Sequence, residues 1–427
     1  MDTFLYWVKR FVPGWVLGIL RPTYHLALSW IGAQLYRHPS RDITVIAVTG
    51  TKGKSTTVEL ISAILEADGH KVASLSTIQF KIADDVRPNL YKMTTPGRFF
   101  VQHFLRQAVS AGCQYAVIEM TSEGAKQFRH KFIELDALVF TNLSPEHIES
   151  HGSFLKYKKA KLEILKQLEI SRKQNRYSVT NIDDEHGQDF LSEKVEHSLT
   201  YSLQDLKLHT LHKDGIALIF KEENEEVTIR LSLVGLFNVY NALAAITLAR
   251  AMNVSWKTIE KALAGLDKVA GRVEHFHSPK DSEKKITAVV DYAHTPDSLE
   301  KLYQAFKDVP KICILGNTGG GRDKWKRPEM AEIAERYCEK IILTNEDPYD
   351  ENPRRIVEEM ANGIGDKEKL EIIMDRRGAI RHAFATAKNG DYILISGKGT
   401  DPYIMGPNGT KQPWSDAQVV KEELAKV

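Results

Sequence analysis

From residue 43 onward, short apolar and β-branched runs alternate with stretches of helical periodicity. Ile43–Val48 leads into a helix reaching about Ala67, and further runs stand at Tyr115–Ile118, Ala137–Phe140 and Tyr177–Thr180. Continuous apolar runs suit strands buried on both faces, so the spacing predicts a largely parallel sheet covered by helices. Residues 199–235 read as short strands with polar turns, followed by a helix beginning near Asn238. A second α/β rhythm follows at Ile286–Val290, Ile312–Leu315, Ile341–Leu343, Leu370–Ile373 and Tyr392–Ile395, enough for an independent Rossmann-like sheet. The class is therefore α/β. A short, aromatic-rich helical segment spans 1–42, a central domain 43–270, and a C-terminal Rossmann-like domain 271–427. A chain of 427 residues fits such a division.

The first segment leaves two readings. Lys9, Arg10, Arg21, Pro13 and Pro22 break its apolar stretch, so it falls short of the roughly 18–20 uncharged residues that a spanning helix needs. Cations inside the stretch also differ from a secretory signal. Either its helices pack on the body of the protein, or residues 1–36 make peripheral membrane contact, with Trp7, Trp15 and Trp30 beside the cations.

Composition narrows the function classes. With 42% hydrophobic and 27% charged residues the chain is ordinary globular protein. A net charge of +2 without a basic block argues against nucleic acid as a partner. Cys113, Cys313 and Cys338 lack the pairing of a zinc site or a disulfide framework, which suggests a reducing, cytoplasmic setting.

The candidate chemistry begins at the end of the first strand. Gly50-Thr51-Lys52-Gly53-Lys54-Ser55-Thr56 stands between strand and helix, the context of a phosphate loop. Gly50 and Gly53 let backbone N–H groups approach phosphate, Lys54 neutralises β/γ charge, and Ser55 or Thr56 can ligate Mg²⁺. The loop lacks the spacing of the G-x-x-x-x-G-K-[ST] form because Val48 belongs to the strand.

The loop resembles that of the Mur ligases, ATP-dependent ligases that build the peptide stem of peptidoglycan, and further segments follow in the family's order. These are Glu119-Met-Thr-Ser122 with Arg129; Asn142 through Gly152, containing His147; Tyr157 and Lys161; Asn238; and Gly271-Arg272-Val273-Glu274. Asp291-Tyr292-Ala293-His294 and Gly321-Arg322-Asp323 complete the series. The resemblance covers residues 43 to about 420 and is nearest to the third-step ligases, the tripeptide synthetases, whose T-T-P stretch is similar to Thr94-Thr95-Pro96.

The resemblance implies ATP, two Mg²⁺ sites and acyl-phosphate chemistry. Ser55 or Thr56 with Glu119 would hold one ion and His147 the second, with Lys161 carbamylated by CO₂ to assist. From charge pattern alone Lys161 reads as one solvated lysine among Lys156, Lys158, Lys159 and Lys166. Gly50 to Thr56, Asn238, Arg272, Asp291 and Tyr292 would bind ATP, with His294 and Lys54 catalytic, and domain closure would exclude water. Thr94, Thr95, Ser122, Arg129, Arg322 and Asp323 would meet the nucleotide-sugar peptide.

Departures from the family pattern bear on the substrates. About 42 residues replace the domain that grips uridine. The D-N-P-R motif reads Glu346-Asp347-Pro348-Tyr349, and tyrosine lacks the bidentate cation a carboxylate wants. The later G-K-G-H-E reads Gly397-Lys398-Gly399-Thr400-Asp401, leaving Asp401 as an anion for a distal ammonium. The expected reaction adds lysine or another diamino acid to UDP-MurNAc-L-Ala-D-Glu. The alternatives are a related ligase acting on a UDP-free polyglutamyl or lipid-linked acceptor, and a non-catalytic nucleotide-binding scaffold.

Overall fold

The computed structural model describes residues 14–146, 148–222, 225–321 and 324–427, so the expectations for His147, Arg322 and Asp323 lie outside the described residues. The chain divides into two compact units, one of residues up to Asp205 with Tyr240–Ala262, the other of Leu206–Val239 with Leu263–Val427.

In the first unit an eight-stranded sheet runs β4-β3-β2-β5-β1-β6-β7-β8. Its strands are β1 (Thr44–Thr49), β2 (Val72–Leu75), β3 (Gln79–Ile82), β4 (Asp85–Pro88), β5 (Tyr115–Glu119), β6 (Ala137–Phe140), β7 (Tyr177–Asn181) and β8 (His197–Tyr201). All are parallel except the edge hairpin β3 and β4. The order of winding reverses at β1, whose neighbours β5 and β6 both come later in sequence. Their C-terminal ends adjoin, Val48 pairing with Glu119 and Thr49 with Phe140. Such a switch point leaves a crevice beyond the strand ends, where open α/β sheets bind ligands. Val45, Ile46, Ala47 and Val48 are all buried, as the continuous apolar run requires.

Four helices frame this sheet: α1 (Gly14–Leu35), α2 (Lys54–Ala67), α3 (Arg98–Ser110) and α4 (Phe154–Glu169). Pro22 lies inside α1. Among the described residues no helix is long and apolar enough to cross a membrane. Ser153 caps α4 by accepting the Lys156 N–H at 3.3 Å.

The second unit holds an antiparallel sheet of β9 (Leu208–His212), β10 (Gly215–Glu222) and β11 (Glu225–Leu231). By contacts these strands cluster with the C-terminal residues. A six-stranded sheet follows the order β12-β13-β17-β14-β15-β16. It comprises β12 (Glu274–His277), β13 (Thr287–Val290), β14 (Lys311–Leu315), β15 (Lys340–Leu343), β16 (Leu370–Ile372) and β17 (Tyr392–Ile395), parallel except for β12 at the edge. Two further helices matter here: α5 (Leu236–Ala251), along which the chain returns to the first unit, and α6 (Lys326–Tyr337).

One expectation is corrected. Cys313 in β14 and Cys338 beyond α6 form a disulfide, because the β14–β15 crossover returns the chain to the same strand pair after 25 residues. Linear spacing carries no trace of that proximity. Cys113 is buried and unbonded.

Candidate active site

The phosphate loop is held from below by the residues that follow β6. Thr51 N–H donates to Asn142 O at 2.8 Å, Lys52 N–H to Asn142 Oδ1 at 2.9 Å, and Thr141 Oγ1 to Lys52 O at 2.7 Å. Both loop glycines have positive φ, 147° at Gly50 and 82° at Gly53. A Cβ on Gly50 would stand 1.9 Å from Thr141 Oγ1, and one on Gly53 2.2 Å from Asn241 Oδ1 of α5. Only glycine fits either position. The turn delivers Lys54, Ser55 and Thr56 to the start of α2, where unpaired helix N–H groups and the helix dipole favour phosphate.

Glu119 ends β5 beside this loop and is buried. Its Oε2 accepts from Ser55 Oγ at 2.8 Å and from Thr77 N–H at 3.0 Å, while Lys54 Nζ lies 3.7 Å from Oε1 and donates to Thr51 O at 2.8 Å. Thr77 Oγ1 lies 3.1 Å from Oε2, 3.2 Å from Oε1 and 2.7 Å from Thr94 Oγ1. Thr77 thus fixes the carboxylate and ties it to the expected substrate loop, a role that no sequence motif marks. Among the described residues no group of three or more His, Cys, Asp or Glu side chains could hold a metal ion.

Lys161 separates from its lysine neighbours by helical phase. It shares the buried stripe of α4 with Tyr157, Ile164 and Leu168, whereas Lys156, Lys159 and Lys166 are exposed. Its Nζ donates to Gly50 O and lies 4.9 Å from the Tyr157 ring centroid. The carbonyl and ring face favour a cation, but burial, with Lys54 nearby, dominates and pulls the amine well below its ordinary range. Tyr157 in turn meets Thr51 Oγ1 at 2.9 Å.

Thr95 and Arg129 also come together, since Arg129 Nη1 donates to Thr95 O and lies 3.4 Å from Thr95 Oγ1. Arg129 Nη2 donates to Gln127 Oε1 at 2.8 Å, and Ser122 is buried nearby in sequence. Burial, then the neighbouring Arg98, lowers the Arg129 guanidinium to about 10. His151 Nε2 lies 3.1 Å from Glu123 Oε1, and that contact is the main reason the Glu123 carboxyl falls to about 2.

In the second unit Asp291 accepts the N–H groups of Val273 and Ala293 at 2.8 and 2.7 Å. Burial pushes its carboxyl above the usual range, against the pull of Arg272. The Arg272 guanidinium stacks 4.6 Å from the Tyr292 ring centroid. His294 Nδ1 lies 2.8 Å from Tyr292 O, and because a carbonyl only accepts, Nδ1 is the donor. Asn238 Nδ2 donates to Val234 O at 2.8 Å.

The expected selectivity residues form a buried acidic cluster. Lys398 Nζ donates to Asp347 Oδ1 at 2.9 Å, to Asp401 Oδ2 at 2.8 Å and to Tyr403 O. Asp401 is therefore already engaged by a cation of the chain itself. Glu346, whose Oε1 accepts from Thr318 at 2.8 Å, keeps a buried Oε2 without a hydrogen-bond partner. That oxygen would meet a Cβ at Gly397, another glycine with positive φ, at 2.3 Å. Tyr349 is anchored through its N–H to Met405 O at 3.1 Å.

Comparison with known proteins agrees with this geometry. The Mur ligase middle domain matches residues 48–249 and the Mur ligase glutamate ligase domain residues 271–399. A UDP-N-acetylmuramoyl-L-alanyl-D-glutamate--2,6-diaminopimelate ligase of Syntrophomonas wolfei is 35% identical over 397 residues, covering 90% of this chain and 79% of that one. A UDP-N-acetylmuramyl-tripeptide synthetase of a Roseiflexus species is 36% identical over 432 residues, covering 95% and 83%. A solved structure of a UDP-N-acetylmuramoyl-L-alanyl-D-glutamate--2,6-diaminopimelate ligase superposes with a TM-score of 0.61 at 28% identity, covering 90% of this chain and 78% of that one. A glycine-shaped phosphate loop, a carboxylate held against its serine, and these two consecutive matches have one explanation: the chain belongs to the Mur ligase family.

Proposed function

We propose that the chain is an ATP-dependent amide ligase that activates the D-glutamyl carboxylate of UDP-MurNAc-L-Ala-D-Glu as an acyl phosphate and joins it to a diamino acid in the cytoplasm. The observation that carries the reading is the Ser55–Glu119 pair at the mouth of the phosphate loop, 2.8 Å apart. A hydroxyl and one carboxylate fit Mg²⁺, which takes few protein oxygens and completes its shell with water and phosphate. Bound there, Mg²⁺ lowers the repulsion between triphosphate and carboxylate. Lys54 and the first N–H groups of α2 hold the phosphates, Thr77 orients Glu119, and Thr95 with Arg129 supports the acceptor peptide.

The second metal site would draw on His147 and Lys161. Burial pulls the Lys161 amine well below its ordinary range and so favours the neutral form, which attacks CO₂: an N–C bond forms, the nitrogen loses a proton, and an anionic carbamate stands where the amine was. A ¹³CO₂-labelled sample tests this by carbamate carbon resonance, which Lys161→Met removes. Asn238, Arg272, Asp291 and Tyr292 are the nucleotide-binding residues proposed in the second unit, with His294 a catalytic group beside them.

Asp347 and Asp401 both hold Lys398, while the buried Glu346 Oε2 accepts no hydrogen bond. That carboxylate oxygen favours an incoming amino acid with a distal ammonium. Phosphate release and product mass with UDP-MurNAc-L-Ala-D-Glu and a panel of amino acids test the proposal. Absence of product with every amine would overturn it.

A further inference from the structure

The helix α1 is turned inside out. Its small and polar residues face the protein: Ser29 Oγ donates to Phe128 O at 2.8 Å, Gly32 packs toward Phe99 of α3, Ala33 is fully buried, and His25 meets Arg98. Its large apolar residues face outward, with Tyr24 52% exposed, Leu26 39%, Trp30 51%, Ile31 44% and Leu35 64%. Tyr24, Ala27, Ile31 and Leu35 follow one helical stripe, and Leu26 with Trp30 continues it on the adjacent row. Single exposed apolar side chains are unremarkable, but a contiguous stripe marks an interaction surface.

Charge selects the occupant. Residues 3–41 contain Lys9, Arg10, Arg21, Arg37 and Arg41 and no aspartate or glutamate, although the chain as a whole carries 56 acidic residues. Arg37 and Arg41 are exposed just beyond the end of α1. A second copy of the chain would set these cations against themselves. We propose that the outer face of α1 lies on an anionic lipid surface, with Tyr24 and Trp30 at headgroup level and the arginines against lipid phosphate. The helix rests in the interface without spanning it, consistent with the absence, among described residues, of a helix able to cross. Arg98 and Phe128, which α1 contacts, adjoin Gln127 and Arg129, so binding would hold the proposed acceptor site close to the membrane.

Flotation of the full chain with phosphatidylglycerol-containing vesicles, against phosphatidylcholine alone, tests the inference without reference to ligase activity. The wild type floats with the anionic vesicles, and less so at high salt. Leu26→Ser/Trp30→Ser/Leu35→Ser lowers partitioning by at least about tenfold, and Arg37→Glu/Arg41→Glu weakens it on anionic vesicles only, both with unchanged Tm. Wild type that stays with the soluble fraction, or a serine variant that floats equally well, overturns the proposal. So does vesicle-independent dimerisation that the serine variant abolishes, which would make the face an interface between copies.

Discussion

Replacing Thr77 by valine removes one hydroxyl while preserving shape, and its consequences can be followed through the site. The Glu119 carboxylate loses the donor at 3.1 to 3.2 Å but keeps Ser55 Oγ at 2.8 Å and the Thr77 N–H at 3.0 Å. A hydrogen bond to a carboxylate contributes about 1.5–3 kcal/mol, and the loss is softened because two donors remain. A net cost of about 1.4 kcal/mol corresponds to about tenfold, within the range for groups that orient metal ligands. The half-saturating Mg²⁺ concentration for phosphate release should therefore rise by about tenfold, with Tm changed little. Thr77→Ser should restore the wild-type value. An unchanged Mg²⁺ requirement accompanied by a fall in Tm would refute the reasoning and reduce Thr77 to a packing residue between β2 and β3.

Lys161→Ala should lose turnover and regain part of it when short carboxylates are added, read by phosphate release; no rescue would count against a carbamate. Glu346→Gln should raise KM for the diamino acid by about tenfold with KM for ATP unchanged, since a buried carboxylate facing an ammonium contributes on the order of 1–2 kcal/mol. Gly53→Ala should cost at least about 1–2 kcal/mol in denaturant unfolding and abolish ATP binding by calorimetry, because φ is 82° and Asn241 fills the Cβ position. His130 is buried without a hydrogen-bond partner and burial holds it down to about 3, so the unfolded state binds the extra proton between about pH 6.5 and 3. Stability should fall as pH drops through that window, by about 2 kcal/mol at pH 5, and His130→Leu should flatten this limb of the urea-unfolding profile.

Much of this was legible in the chain because both sheets bury their strands on two faces. Continuous runs such as Ala137–Phe140 and Tyr392–Ile395 coincide with β6 and β17 at both ends, and the helix expected to reach Ala67 ends there. Shorter or edge elements escaped: β3 and β4 carry weak patterns, since an edge strand such as β4, exposed throughout, needs no apolar run, and β2, though buried, is only four residues long. Lys161 marks the boundary of what pattern can say. Five lysines in eleven residues read as a solvated face, yet a 3.6-residue period puts Tyr157, Lys161, Ile164 and Leu168 on one stripe, and that period was present in the sequence. Thr77 and the Cys313–Cys338 bond had no such signal, because each depends on which strand ends adjoin. Asp401 shows a related limit: the motif supplied an anion, but only the fold shows that Lys398, three residues away, engages it. Residue chemistry is local and readable, whereas the partner that neutralises or orients it is set by topology. For this site topology acts at β5-β1-β6, where three strand ends meet and Thr77, Glu119 and Asn142 are brought to the same loop.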